Sequence, residues 1–321
     1  MDAEAFALGL ARRIAEAVAP LFGHPDARRY AGTAPGGDTT YGIDEVAERV
    51  AEEAFGRLGD VAYFTEDGGL VVRGRPDVLF LVDPIDGTRP STAGFETCCV
   101  TLAVGPYGSD VTDVTLGDLT YGCIVEITTG AEFEARRGGG ATARGRQLSP
   151  SDHKGLDGLF WAGGFRGQPA VALSAVLAGI FDVAGARGAF FDQGSATYSL
   201  SRVATGQLDA MVDPGAWLVE EIPELEELFR LVGGGHVLNT TTYDVAAGLL
   251  LLWELGCPAT SPTGAALEEV PLLDGEGKAS AVPSVSASTP ELHGALLEAL
   301  GEGMDRLRGL VAAVGVEALV G

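Results

Sequence analysis

The stretch Val82-Asp83-Pro84-Ile85-Asp86-Gly87-Thr88 concentrates the residue types best suited to chemistry. Two carboxylates stand three positions apart, directly after the apolar run Val78 to Val82, which reads as a buried strand. Pro84 has a fixed φ and restricts Asp83 to extended conformations. The spacing therefore predicts a tight turn that aims both acids and the Ile85 carbonyl at one point. Gly87 lets the backbone approach a ligand, and its amide and that of Thr88 are donors. Hard oxygen ligands beside such amides suit a divalent cation carrying a phosphate.

Acids in turns are common and mostly solvated, so the reading needs further acids at element ends. Glu66-Asp67 follows the short apolar run Val61 to Phe64. Asp244 lies in Thr240-Thr241-Thr242-Tyr243-Asp244-Val245-Ala246-Ala247-Gly248. The apolar run Val245 to Leu255 behind it reads as a buried helix capped by threonines, with Asp244 in the first turn, where the helix dipole favours an anion. If Glu66, Asp83, Asp86 and Asp244 converge, they make six like-charged pairs. At ~5 Å and an effective dielectric of ~20, each pair repels by ~3 kcal/mol. The sum, on the order of 20 kcal/mol, exceeds the ~5–15 kcal/mol net stability of a domain. A converged cluster must take up protons or cations. With oxygen ligands throughout and no histidine near these motifs, magnesium fits best.

The elements that must position these acids follow from periodicity. A first amphipathic helix is expected near Glu4 to Ala19. A Gly/Pro loop follows at 32–37. A second helix is expected over 43–58, with Ile43, Val46, Val50, Ala54 and Leu58 on one stripe. Strands are expected at 61–64, 78–82, 98–104, 120–128 and 131–136, an α+β pattern. Gly138 to Pro150 reads as a linker, which divides the chain into residues 1–145 and 146–321. The second part alternates in an α/β manner: strands near 158–162, 188–191 and 208–212, with helices near 170–182, 195–205 and from 243. A short helix is expected at Pro223–Val232, and the tail 302–321 reads as a separate amphipathic helix.

Composition narrows the function classes. The chain has 321 residues, 46% of them apolar, which supports a substantial core. A net charge of -24 disfavours nucleic acid and anionic membranes as partners. It also repels phosphorylated substrates unless bound cations reverse the local field. Cys98, Cys99, Cys123 and Cys257 lie in or beside apolar runs without C-x-x-C spacing, which reads as buried thiols in a reducing compartment. No signal peptide or membrane span is visible, so a cytoplasmic protein is expected.

The ordered set of motifs resembles the inositol monophosphatase family of metal-dependent, lithium-sensitive phosphatases. The family's Asp-Pro-Ile-Asp-Gly-Thr turn stands here as Asp83 to Thr88, and its Trp-Asp-x-Ala-Ala-Gly helix start as Tyr243 to Gly248. Weaker matches are Asp38 to Asp44, Glu66-Asp67, and Gly194-Ser195-Ala196 followed by Arg202 to Ala210. The resemblance implies a five-layered αβαβα sandwich, paired as a homodimer, with the site between its halves. It implies two or three magnesium ions, one held by Glu66, Asp83 and the Ile85 carbonyl and a second by Asp83, Asp86 and Asp244. Glu66 and Thr88 would orient the attacking water, Gly87 and Thr88 would hold phosphate, and Gly194, Ser195, Ala196 and Asp213 would face the alcohol.

Departures are Thr88-Arg89-Pro90-Ser91 in place of Thr-x-Asn-Phe, Tyr243 in place of Trp, and Asp67 in place of the second Glu. The segment Pro214 to Tyr243 is longer than in inositol phosphatases, and a lid or an unusual substrate is expected from it. The implied function is magnesium-dependent hydrolysis of a small polyol or sugar monophosphate by water. Fructose-1,6-bisphosphate and 3′-phosphonucleotides are the alternative substrates. A metal-binding scaffold or regulatory partner without catalysis is the alternative of another class.

Overall fold

The computed structural model describes residues 2–34, 36–108 and 113–319. Helix α1 (Ala3–Val18) starts where Asp2 accepts a hydrogen bond from the Ala5 amide at 3.1 Å, and it buries Ala7, Leu10, Ala11, Ile14 and Val18 along one stripe. A small antiparallel hairpin, β1 (Tyr30–Thr33) and β2 (Thr39–Tyr41), leads into α2 (Gly42–Phe55). The chain then builds a sheet from β3 (Val61–Thr65), β4 (Gly69–Arg73), β5 (Val78–Asp86), β6 (Cys99–Pro106), β7 (Tyr121–Glu126), β8 (Glu132–Arg136), β9 (Gly140–Ala143) and β10 (Arg146–Gln147). Their spatial order is β10-β9-β8-β7-β6-β5-β3-β4. Within it β3 and β5 run parallel, and the other neighbours are antiparallel. A six-residue helix, α3 (Thr88–Ala93), separates β5 from β6.

The second part supplies β11 (Phe160–Ala162), α4 (Ala170–Ala184), β12 (Ala189–Phe191), α5 (Ala196–Ala204), β13 (Ala210–Asp213), α6 (Gly215–Glu221), α7 (Glu226–Val232), α8 (Thr242–Glu254), β14 (Ala259–Thr260), β15 (Ser284–Ala287) and α9 (Pro290–Val314). Its sheet has the order β12-β11-β13-β15-β14, parallel across the first three strands and antiparallel at β15. Five layers result. Helices α1 and α2 cover the outer face of the large sheet, α5 and α8 lie between the sheets, and α4 and α9 cover the far face of the small one. The αβαβα sandwich is thus present. The central layer explains the composition of α8: Val245 to Leu252 are all buried because the helix is covered on every side.

Several expectations need correction. The strand expected to end at Val82 runs on to Asp86, so the acids belong to the strand end. Its ladder to β6 shifts register between Asp83 and Asp86, where Pro84 has no amide to give the ladder. Gly138 to Pro150 is no linker: β9 and β10 form a hairpin at the edge of the large sheet. The tail is not a separate helix, because α9 continues from Pro290 to Val314. Leu300, Gly303, Met304 and Leu307 extend the buried stripe begun by Leu292 and Leu296, so burial keeps the helix in one piece. The insertion does not form a helical lid. Trp217, Leu218, Leu225, Leu228 and Phe229 of α6, α7 and their connection are buried in the same core as Trp161 and α4.

Candidate active site

Register places the first acids. Because β3 and β5 are parallel and Thr65 stands beside Val82, the residues that follow, Glu66 and Asp83, emerge side by side. Asp83 Oδ1 accepts the Ile85 amide at 3.0 Å, which closes the bulge around Pro84. Gly87 then takes φ 93°, a left-handed conformation disfavoured for other residues, and starts α3. A Cβ at that position would lie 2.5 Å from the Thr97 carbonyl oxygen.

The central layer supplies the other walls. The start of α5 is directed at Asp86: Ser195 Oγ donates at 2.7 Å, and the amides of Thr197 and Ala196 donate at 2.6 and 3.2 Å. Asp244 sits in the first turn of α8, where its Oδ2 accepts the Thr241 amide at 2.6 Å and the Thr241 hydroxyl at 2.8 Å. Because α8 packs across the large sheet, this cap also carries Asp244 over β5. One oxygen each from Asp83, Asp86 and Asp244 can be chosen so that all lie within 4.8 Å of one another. Glu66 is outside that trio but lines the same cleft.

The electrostatics suit a cation site. Burial, and next the field of Asp244, pushes the Glu66 carboxyl well above its ordinary range. Burial and then Glu66 do the same to Asp83. Burial raises Asp86 to about 6, opposed by the donors of Ser195, Thr197 and Ala196. Burial and the field of Asp86 raise Asp244 to about 7. Carboxylate oxygens are the donor set that Mg²⁺ prefers, so the residues present fit a divalent cation. Beside them, Thr88 Oγ1 lies 2.9 Å from Asp44 Oδ1 and 3.1 Å from the Ile85 carbonyl. Asp44 is itself held by the Tyr41 amide at 2.7 Å, and burial raises its carboxyl to about 7.

The sequence profile of the inositol monophosphatase family matches residues 2–304. This chain belongs to that family. It is 27% identical over 306 residues to the fructose-1,6-bisphosphatase/inositol-1-monophosphatase of Methanothermobacter thermautotrophicus, covering 92% of this chain and 95% of that one. It is 28% identical over 243 residues to the Nus factor SuhB of Xylella fastidiosa, covering 74% and 73%. Among solved structures, the extragenic suppressor protein SuhB of Bartonella henselae superposes with a TM-score of 0.68 at 19% identity, covering 93% of this chain and 98% of that one. The IMPase of Thermotoga maritima gives 0.67 at 18%, covering 96% and 100%. These two likenesses establish the fold. The family is one of metal-dependent phosphatases, and the acidic trio could hold such a metal.

The residues given metal, phosphate or substrate roles from the sequence line one cleft of about 110 Å³: Glu66, Asp83, Ile85, Asp86, Gly87, Thr88, Gly194, Ser195, Ala196, Asp213 and Asp244. Their engagements differ. Ser195 Oγ and the Ala196 amide serve Asp86. The Gly194 amide donates to Asp192 at 3.2 Å. Asp213 accepts from the Gly215 amide at 3.1 Å, from Gln168 Nε2 at 3.3 Å and from the Thr240 hydroxyl.

Sequence reading gave no role in the site to Arg166, Gln168, Asn239 or Thr240, which line the same cleft. It also gave no role to Asp38. Arg166 lies 2.6 Å from Asp38, and Arg89 donates to the other Asp38 oxygen at 3.0 Å. Burial works to raise the Asp38 carboxyl, but the two guanidiniums outweigh it and hold the group below its ordinary range. A signal was present: Gly163-Gly164-Phe165-Arg166-Gly167-Gln168 is a glycine-rich loop at the end of strand β11. His236 of the insertion rests against Gly37 and does not line the cleft.

Proposed function

We propose that this protein hydrolyses a small polyol or sugar monophosphate with magnesium and water. The observation that carries the reading is the trio Asp83, Asp86 and Asp244, delivered by two different elements to within 4.8 Å at the floor of a cleft. When bound, magnesium supplies the positive charge that draws in phosphate and makes water more acidic. The chain's own residues do the positioning. Glu66 and the Thr88 hydroxyl, steadied by Asp44, orient the attacking water in line with the ester bond. The amides of Gly87 and Thr88 hold phosphate oxygens at the start of α3. Ser195, Ala196 and Thr197 fix Asp86, and Thr241 fixes Asp244, so that the acids are preorganised.

The net charge of -24 makes loaded metal a condition for approach of an anionic ester. Four free, buried cysteines support a reducing compartment, the cytoplasm. No helix among the described residues is long and apolar enough to cross a membrane. Phe160 and Phe191 are partly exposed and stack at 6.4 Å beside the edge strand β12, which supports pairing as a homodimer. Phosphate release from a panel of inositol, sugar and nucleotide phosphates, with magnesium and with EDTA, tests the activity. Magnesium-dependent release that disappears in Asp83→Asn, with unchanged circular dichroism, is the expected result. No release from any ester would instead favour a scaffold that binds metal without catalysis.

A further inference from the structure

We propose that Arg166 is a further substrate-binding residue, an assignment that rests on the phosphatase reading: its guanidinium takes oxygens of the phosphoryl group that is transferred. Arg166 stands in the glycine-rich loop that follows β11. Strands β11, β12 and β13 are parallel, and Gly163, Asp192 and Asp213, at or just beyond their carboxyl ends, line the cleft. Loops at that end of a parallel sheet converge on ligands. Gly167 takes φ 66°, and a Cβ there would lie 2.6 Å from Leu238 Cδ1, so the segment after Asp213 seats on this loop beside Arg166. The Arg166 side chain is 47% exposed, which leaves it open to a ligand. It is the one cationic side chain lining the cleft among the described residues, against six carboxylates. Crowding by the cleft walls works against its charge, but the fields of Asp38, Asp244 and Glu66 outweigh this and hold the guanidinium charged. The guanidinium therefore faces the acids of the metal site.

The local charge balance leaves Arg166 available. Asp38 lies between two guanidiniums: Arg89 donates to Oδ1 at 3.0 Å, and Arg166 Nη1 stands 2.6 Å from Oδ2. One carboxylate between two guanidiniums leaves one positive charge in surplus. The ion pair engages Nη1 alone, whereas a guanidinium carries five N–H donors in a planar fork. Such a fork matches two oxygens of a phosphoryl group. Arg89 keeps Asp38 paired when Arg166 turns to a ligand, so no bare carboxylate is stranded. Glu66 and Asp244 also attract the guanidinium. Once a divalent cation balances those acids, a phosphoryl dianion is the remaining partner of opposite charge. Asp38 is then a positioning residue that acts through Arg166.

The experiment compares full-length wild type, Arg166→Gln, Arg166→Lys and Asp38→Asn, each checked for folding by thermal unfolding. Calorimetry reads the affinity for magnesium and, with magnesium present, for inorganic phosphate. Turnover is read as kcat/KM on inositol 1-phosphate and p-nitrophenyl phosphate, whose only anionic group is the phosphoryl group. Arg166→Gln should weaken phosphate binding and lower kcat/KM on both esters by roughly ten- to a hundred-fold, the span of a charge-assisted hydrogen bond. Magnesium affinity should not fall, because the charge removed is positive. Arg166→Lys keeps the charge without the fork and should recover part of the loss. Asp38→Asn keeps the guanidinium and should lose less than Arg166→Gln. Unchanged phosphate affinity in Arg166→Gln would overturn the inference, and so would equal losses in Arg166→Gln and Asp38→Asn, which would make Arg166 a structural ion pair only. If Arg166→Gln fails to fold, Arg166→Lys decides: weaker phosphate binding supports the assignment, and wild-type affinity overturns it. Wild type inert on both esters would remove the phosphatase reading and this inference with it, whereas an active wild type with an indifferent Arg166→Gln would remove the inference alone.

Discussion

The acidic trio should make the metal-free protein less stable as pH rises, and Asp244→Asn isolates the effect. The folded-state Asp244 carboxyl titrates at about 7 against an ordinary value of 3.8, chiefly because it is buried and faces Asp86. The folded form thus binds the proton more tightly than the unfolded form. This stabilisation is complete below the unfolded value and is lost as pH rises through about 7. At roughly 1.4 kcal/mol for each tenfold difference in proton affinity, ionising Asp244 in the empty site costs about 4 kcal/mol. Asparagine carries no charge and keeps an oxygen for the Thr241 amide and hydroxyl that Asp244 Oδ2 now accepts. In EDTA, urea unfolding of Asp244→Asn and wild type should give similar free energies near pH 4. The variant should then become progressively more stable, by about 4 kcal/mol at most by pH 8. Excess magnesium should reverse the order at pH 8, because wild type gains binding energy that the variant cannot. A difference that stays flat with pH in EDTA, or that favours wild type there, would refute the argument that the acids repel one another in a buried site.

Three further outcomes follow from packing. Gly87→Ala must adopt φ 93° with its Cβ 2.5 Å from the Thr97 carbonyl oxygen. It should cost about 2 kcal/mol or more and weaken magnesium-dependent activity, measured by urea unfolding and phosphate release. Gly303→Ala, although alanine favours helix, would place a Cβ 1.9 Å from the Val176 carbonyl oxygen of α4. A loss of about 2 kcal/mol or more, with no change in magnesium affinity, is expected from thermal unfolding and calorimetry. Arg202→Met leaves Glu126, whose side chain is 3% exposed, without the guanidinium that now pairs with it. It should cost about 3–5 kcal/mol, and Glu126→Gln in the same chain should restore part of that loss in a double-mutant cycle.

Chemistry encoded within a few residues was legible without a structure. The Asp83 to Thr88 motif declares its carboxylates, its missing amide at Pro84 and its left-handed glycine in one short run. The Thr241 cap and Asp244 are likewise local, because a helix start needs a side chain only three positions from the group it satisfies. The apolar runs of β5 and α8 announced burial, and the family resemblance implied the layers. Where local pattern misled, long-range burial had the deciding part. The glycines at 138–140 suggested a break, but the hairpin they open pairs as the sheet edge. The tail 302–321 read as a separate amphipathic helix, but packing on α4 carries α9 on to Val314.

Tertiary structure alone decided which acids meet and what the rest of the cleft offers. Glu66 reaches Asp83 through the parallel register of β3 and β5, and Asp86 is held by α5 from more than a hundred residues away. Asp38 is neutralised by Arg89 and by Arg166 of a distant loop. Gln168, Asn239 and Thr240 become one wall only because Asp213 and Thr240 share a hydrogen bond across the insertion. A sequence specifies the hydrogen-bonding groups that each residue carries. Which of them remain unpartnered at the site depends on every neighbour the fold brings up, and so on the whole packed chain.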